Sequence, residues 1–471
     1  MVPETTRMTI KTSGNPSKDS TLLSLIPGKQ TTFVETKADL ELRVGTGVDA
    51  GKELTRRKFI LLARKAIVCA KQNKLFNLHT YWKEWRRAAD TTLTDLEVGE
   101  QMAIAYLMAD FEFTQFKTKP KEGFSVIETV LVQNASMEGR RGIERGLVIG
   151  AEVNACRKLA NTPGGDMTPA LLAAEAKRAV KGTAATVIVL GVREMKKIGM
   201  GAVLGVGKGS TEEPKFIIVE YRGEKTGSKK KPVVFVGKGV TFDSGGLNIK
   251  TGDHMYEMHM DMSGGAGVIH AVALCAKLKI KRDVIGLIPA VENMPGQGAY
   301  RPGDVLKTLS GKTIEVINTD AEGRVILADA LTYAKKYNPE IVVEASTLTG
   351  AALSALGVYA SALMTPDEDL ERKLRDLGER SGDYLWPLPL WEEYDYMLEA
   401  NFADIPNLPV NGNPRYAGAI AGGKFLQQFA VGYPFAHLDI APRMTSAPGD
   451  NLAKGAAGTP VRLFLQIAEN F

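Results

Sequence analysis

From residue 166 onward, short apolar runs rich in β-branched residues alternate with helical stretches. No other feature constrains the fold of this chain as much. The runs are ATVIVLG (185–191), FIIVEYRG (216–223), PVVFVG (232–237), VIGLIPAVE (284–292), TIEVIN (313–318) and IVVEAST (341–347). Between them lie helical patterns such as MTPALLAAEAKRAVKG (167–182), AGVIHAVALCAKL (266–278) and RVILADALTYAKK (324–336). Strands that are apolar throughout, rather than at alternate positions, are buried on both faces and linked by crossover helices. The pattern predicts an α/β fold with a mostly parallel, mixed central sheet. In such a sheet, ligands bind outside the carboxyl ends of the strands.

The first third reads differently. Residues 1–150 mix strand-like runs, TTFVE (31–35) and FSVIETVLV (124–132), with a helix over RRKFILLARKAIVCAKQ (56–72), and carry no chemical constellation. A long helical pattern over 139–163 stops at Asn161-Thr162-Pro163-Gly164-Gly165, strong breaker chemistry. The expected organisation is a smaller N-terminal α/β domain over 1–150, a connecting helix ending within 151–165, and a larger catalytic domain over 166–471.

Totals narrow the function. A net charge of +5 over 471 residues argues against nucleic acid as the main partner, because such domains concentrate a basic patch. The one basic cluster, Lys229-Lys230-Lys231 within GEKTGSKKKP (223–232), reads as a solvated loop. Cys69, Cys156 and Cys275 are far apart and form no CxxC, which excludes a disulfide framework or thiolate zinc site and fits a reducing compartment. The histidines form no HExxH, so any metal site must lean on carboxylates. TLLSLIPG (21–28) is too short for a signal core or a membrane span, so the expectation is a cytoplasmic protein with no membrane partner.

Unusual polar residues gather at the expected strand ends. PVVFVG runs into Lys238, Asp243 and Lys250; Asp261 stands in MHMDMSGGAG before a helix; TIEVIN runs into NTDAEGR (318–324), with Asp320, Glu322 and Arg324; IVVEAST runs into Thr347-Leu348-Thr349-Gly350. Taken singly, each has an ordinary explanation. An aspartate before a helix is usually an N-cap, and a lysine after a strand is usually solvated. Asp320 and Glu322 could cap the following helix, with Arg324 as their salt-bridge partner. Taken together, three aspartates and a glutamate would repel one another, and divalent cations resolve that conflict. Oxygen ligands suit Mg, Mn, Co or Zn, and four carboxylates serve two ions, typically about 3.5–4 Å apart, better than one. Two nucleotide-binding leads fail: LSGKTIE lacks the glycine a P-loop needs, and GMGAVLGVGKGS makes no G-x-G-x-x-G.

In order, VGKGVTFDSGGLNIK, MHMDMSGGAG, NTDAEGR and STLTGA resemble the leucine aminopeptidase (cytosol aminopeptidase) family of two-metal exopeptidases, whose signature is NTDAEGR. ENMPGQGAYRPGD (292–304) and HLDIAP (437–442) are similar to family segments as well, so the resemblance covers roughly 150–471. It implies two divalent ions per subunit (Zn, Mn or Co) held by Lys238, Asp243, Asp261, Asp320 and Glu322. It implies Lys250 and Arg324 as catalytic residues that are not ligands, with bicarbonate on Arg324 as general base. It places Met258, Asn293, Thr347, Leu348, Gly350, Ala441 and Met444 in the substrate pocket, where the methionines favour Leu- or Met-like side chains. Short peptides with a free N-terminus are the implied partners, and a homohexamer built as a dimer of trimers is the implied assembly. Some bacterial relatives also bind DNA, a second reading whose discriminator would be a basic groove with salt-steep affinity. A two-metal phosphatase or nuclease is a third reading; such sites rarely need a lysine ligand. His259, Ser263 and Pro442-Arg443 depart from the usual family residues, which bears on specificity rather than catalysis.

Overall fold

The computed structural model describes residues 8–35, 40–224, 230–413 and 416–471. Part of the loop expected at 223–232, including Lys229, lies outside the described residues. The chain forms two compact units. One runs to Asn154 and recruits Ser446–Lys454; the other comprises Ala155–Thr445 and Gly455–Phe471.

The first unit is built on a six-stranded sheet in the order Thr9–Lys11, Thr129–Gln133, Asn77–Tyr81, Thr21–Ile26, Leu40–Gly45, Thr32–Glu35, parallel except for the last pair. Its helix Arg56–Gln72 falls where the pattern predicts, capped by Thr55, whose side chain accepts from Lys58 N. FSVIETVLV yields a strand only at Thr129–Gln133. The helix Met137–Ala160 begins in this unit and presents Gly139, Gly142, Gly146 and Gly150 to its neighbours. A Cβ at Gly142 would lie 2.1 Å from Leu96 O, and one at Gly146 2.4 Å from Glu100 O. The glycines thus let helix Asp95–Asp110 approach closely.

The second unit holds the expected mixed sheet. Its order is Leu385–Pro387, Ser361–Met364, Phe435–Asp439, Ile341–Ser346, Val233–Gly237, Val284–Asn293, Lys215–Tyr221, Thr186–Leu190. The four central strands, Phe435–Asp439, Ile341–Ser346, Val233–Gly237 and Val284–Asn293, are parallel. They are buried almost throughout, as continuous apolar runs require. Helices Ser263–Lys277 and Glu322–Ala334 pack against them.

Two expectations are corrected. TIEVIN does not join the central sheet: only Thr313–Glu315 is a strand, and it pairs with Val305–Lys307 and Ile405–Pro406 in a separate three-stranded sheet. VGKGVTFD is not a loop after Gly237. Gly239–Asp243 forms another strand, parallel to the far half of Val284–Asn293, with Asp243 beside Asn293.

Candidate metal centre

Four chain segments end in one place. Lys238 follows the strand Val233–Gly237, Asp243 ends the next strand, Thr347 follows Ile341–Ser346, and Asn293 ends Val284–Asn293. Glycines make this convergence possible. A Cβ at Gly237 would lie 2.5 Å from Gly264 O, and one at Gly264 2.1 Å from Ala345 O, so the start of helix Ser263–Lys277 packs directly on the strand ends. Asp261, just before that helix, does not cap it: the N-cap is Met262, with no side-chain bond. The Asp261 carboxylate instead accepts from Thr347 Oγ1 at 2.6 Å and lies 2.7 Å from Lys238 Nζ.

NTDAEGR arrives from the small sheet rather than the central one, and side chains pin it. Thr319 Oγ1 donates to Gly245 O at 2.7 Å, Asn248 Oδ1 accepts from Thr319 N at 2.8 Å, and Asn407 Nδ2 donates to Asn318 O at 2.6 Å. Neither Asp320 nor Glu322 caps the helix that follows. Ala321 is the N-cap and makes no side-chain bond, and Arg324 forms no ion pair with either acid. The capping explanation therefore falls.

One oxygen from each of Asp243, Asp320 and Glu322 falls within 4.8 Å of the others. Asp261 reaches this cluster through Lys238, whose Nζ is also 2.7 Å from Glu322 Oε1. Lys250 Nζ faces the other side, 2.8 Å from Asp243 Oδ2 and 2.5 Å from Asp320 Oδ1. Asp243 is held further by Gly245 N at 2.9 Å and Asn293 Nδ2 at 2.8 Å.

The electrostatics follow from burial and like charge. Burial, then Asp243, pushes Glu322 up to about 8, with Lys238 opposing. Burial pushes Asp261 up to about 6 against the pull of Lys238. Asp320 rises too, from burial and Asp243. Burial acts to lower Lys238 and Lys250, but the surrounding carboxylates outweigh it and hold both well above the ordinary lysine value. Four carboxyl groups thus face two ammonium groups, and Glu322 is held well above its ordinary value. In this residue, only 1% exposed, Oε2 has no partner and Oε1 meets only the Lys238 ammonium. Such a set of acids wants more positive charge than the two lysines supply, and oxygen donors of this kind fit divalent cations.

Arg324, buried on the first turns of helix Glu322–Ala334, makes no hydrogen bond or ion pair among the described residues, and its Nε is unpartnered. Burial lowers its guanidinium to about 10, against Glu322 and Asp439, so it stays charged at neutral pH.

The expected pocket residues lie on segments that end, follow or pack on the central strands. Met258 opens the 3₁₀ turn Met258–Met260, which packs on the strand ending at Asp243. Leu348 and Gly350 lie between the end of Ile341–Ser346 and helix Gly350–Leu356. Ala441 opens a 3₁₀ turn leading to Met444, and that turn packs on the same helix. Thr347 and Asn293 are buried, and their side chains are engaged with Asp261 and Asp243. Of the departing residues, Ser263 donates to Met260 O at 2.6 Å, Arg443 donates to Val358 O at 2.8 Å, and half-buried His259 is lowered by desolvation. Sequence reasoning missed Thr319, Asn248 and Asp439 as organisers of the site. Their only signal was to stand inside or beside the quoted motifs.

The family model described as the cytosol aminopeptidase family, catalytic domain, matches residues 154–465. A probable cytosol aminopeptidase of Roseiflexus castenholzii is 44% identical over 366 residues, 76% of this chain and 74% of the relative. One from Shewanella piezotolerans is 39% identical over 446 residues, 91% of this chain and 84% of the relative. Among solved structures, a mutant of tomato leucine aminopeptidase superposes with a TM-score of 0.85 at 27% identity, covering 99% of this chain and 97% of that one. The bottromycin maturation enzyme BotP in complex with Mn gives 0.84 at 29% identity, covering 96% and 99%. Among the described residues, no helix is long and apolar enough to cross a membrane.

Proposed function

Because the chain belongs to the cytosol aminopeptidase family, and so is a hydrolase that removes N-terminal residues from peptides, we propose that Lys238, Asp243, Asp261, Asp320 and Glu322 hold two divalent ions, Zn, Mn or Co. The observation that carries this reading is Glu322, buried, with Oε2 unpartnered and Oε1 met only by the Lys238 ammonium, and grouped with Asp243 and Asp320 within 4.8 Å. When bound, such ions polarise the scissile carbonyl and lower the pKa of water to near neutrality.

The remaining work belongs to the chain. Lys238, as a ligand, must give up its proton, which the incoming positive charge favours. Thr347 fixes one oxygen of Asp261, while Asn293 and Gly245 N fix one oxygen of Asp243. Each acid is thereby held with its other oxygen toward the cluster. Lys250 keeps its proton and donates to the oxyanion that forms on the scissile carbonyl. Arg324 presents an unpaired planar guanidinium, which suits a small planar anion such as bicarbonate held in a bidentate grip. That anion would accept the proton of the attacking water. Met258, Leu348, Gly350, Ala441 and Met444 form the pocket for the first side chain, Leu- or Met-like and broadly selected. We place the enzyme in the cytoplasm as a homohexamer, for which the exposed Trp391, Phe402 and Tyr416 offer contact area.

The test compares Leu-p-nitroanilide with its N-acetylated form, after chelation and after adding back Mn, Co or Zn. Metal-restored cleavage of the free-amine substrate alone supports the proposal. Full activity in the chelated protein, or equal cleavage of the acetylated substrate, refutes it.

A further inference from the structure

Asp439 ends the strand Phe435–Asp439 and is fully buried, yet its carboxylate faces no lysine or arginine at ion-pair distance among the described residues. Instead, three donors from two loops converge on it. Leu348 N donates to Oδ1 at 3.1 Å, and Ala441 N donates to the same oxygen at 3.2 Å. Thr349 Oγ1 donates to Oδ2 at 2.6 Å. Leu348 and Thr349 follow the strand Ile341–Ser346, whereas Ala441 follows Asp439 itself. The two strands are parallel neighbours, with Ser346 beside Asp439.

A buried carboxylate carries a large desolvation cost, offset here by these hydrogen bonds and by the charge of the neighbouring Arg324. Here every one of those bonds goes to a segment that carries proposed pocket residues: Leu348 and Gly350 on one loop, Ala441 and Met444 on the other. Thr349 also accepts from Ala352 N at 3.1 Å, so the same hydroxyl ties the start of helix Gly350–Leu356 to Asp439. Leu348 further packs under Gly422, where a Cβ would lie 2.9 Å from its Cδ2. Asp439 is thus the common anchor of both walls.

We propose that Asp439 is a positioning residue that sets the width and selectivity of the pocket for the substrate's first side chain. It does so by fixing the 347–350 and 440–444 loops against each other. The inference rests on the reading that these loops contact substrate. It assigns Asp439 no contact with the metal ligands and no step in proton transfer. Its loss should therefore appear in KM and in side-chain discrimination, more than in kcat or metal content.

The experiment measures KM, kcat and bound metal for wild type, Leu348→Ala, Asp439→Asn, Thr349→Val and Thr349→Ser, on Leu-, Met- and Ala-p-nitroanilide. Asp439→Asn keeps the shape of the side chain but replaces one acceptor oxygen with a donor. The expected result is a KM for the Leu substrate raised about tenfold in Leu348→Ala and Asp439→Asn alike, the Leu-over-Ala preference narrowed, and metal content unchanged. Thr349→Val should shift the same quantities in the same direction, and Thr349→Ser, which keeps the hydroxyl, should restore them. If Asp439→Asn does not fold, the Thr349 pair carries the test. A shift in Leu348→Ala with KM and selectivity within twofold of wild type in Asp439→Asn and Thr349→Val overturns the positioning role alone. No shift in Leu348→Ala overturns the substrate-loop reading, and the proposal with it.

Discussion

The Lys238 side chain lies directly over Gly323: a Cβ at position 323 would fall 2.6 Å from Lys238 Cε and 2.8 Å from Nζ. Lys238 is itself wedged between Asp261 and Glu322 and is only 3% exposed, so it has little room to yield. The glycine of NTDAEGR is thus there to let a lysine through. Gly323→Ala should cost about 1–3 kcal/mol of overpacking strain, concentrated at Lys238. The chain should fold, bind metal more weakly, and recover part of its activity at high metal concentration. Thermal denaturation and a metal titration check this; wild-type metal affinity in the variant would refute it.

Asp320→Ala and Glu322→Ala should each abolish hydrolysis while leaving the chain folded. Both remove an acid from a cluster already short of positive charge, so neither strands an unpaired buried cation. Circular dichroism and bound-metal analysis separate the two effects. A variant that loses metal yet keeps full activity would sink the ligand assignment.

Lys250→Ala should keep its metals and lose catalysis. Removing one preorganised oxyanion donor typically costs about 3–4 kcal/mol, or roughly a hundred- to a thousandfold in kcat. Loss of bound metal in this variant would instead make Lys250 part of the metal-holding set.

Much of this was legible in advance, and the failures have physical causes. VVFVG and IVVEAS announce central strands because burial on both faces demands apolar residues at every position. TIEVIN looks much the same and misleads, because a short apolar run does not say which sheet it joins. The acids of the cluster are legible as unusual residues at strand ends. What holds them is not: Thr319 on Asn248 and Gly245, or Asn293 on Asp243, are contacts across 50 residues or more of chain that leave no periodic trace. Asp439 is hidden for the same reason, inside the apolar strand of HLDIAP.

Metal binding should release protons and strengthen with pH. At pH 7 the metal-free site holds Lys238 as an ammonium and Glu322, raised to about 8, mostly protonated; ligation requires both to be deprotonated. Calorimetry in buffers of differing ionisation heat should detect more than one proton released per chain loaded. The same shifts set the stability of the metal-free chain. Glu322 at about 8 and Asp261 at about 6 lie above their unfolded values, near 4.5 and 3.8. These two acids therefore bind more protons in the native state than in the unfolded one, and the stability they contribute falls as pH rises from about 4.5 to 8. The raised lysines stay charged there and do not reverse the sign. A metal-free melting temperature that rises over that window would contradict the arrangement.

The most direct test is to count metal ions per chain by mass spectrometry after loading with Mn, Co or Zn and removing the excess, in wild type and in Glu322→Ala. Two ions in wild type and a loss of metal in Glu322→Ala are the expected result. A wild-type chain that holds no stoichiometric metal under any loading, while still cleaving Leu-p-nitroanilide, would contradict the two-ion site at its root.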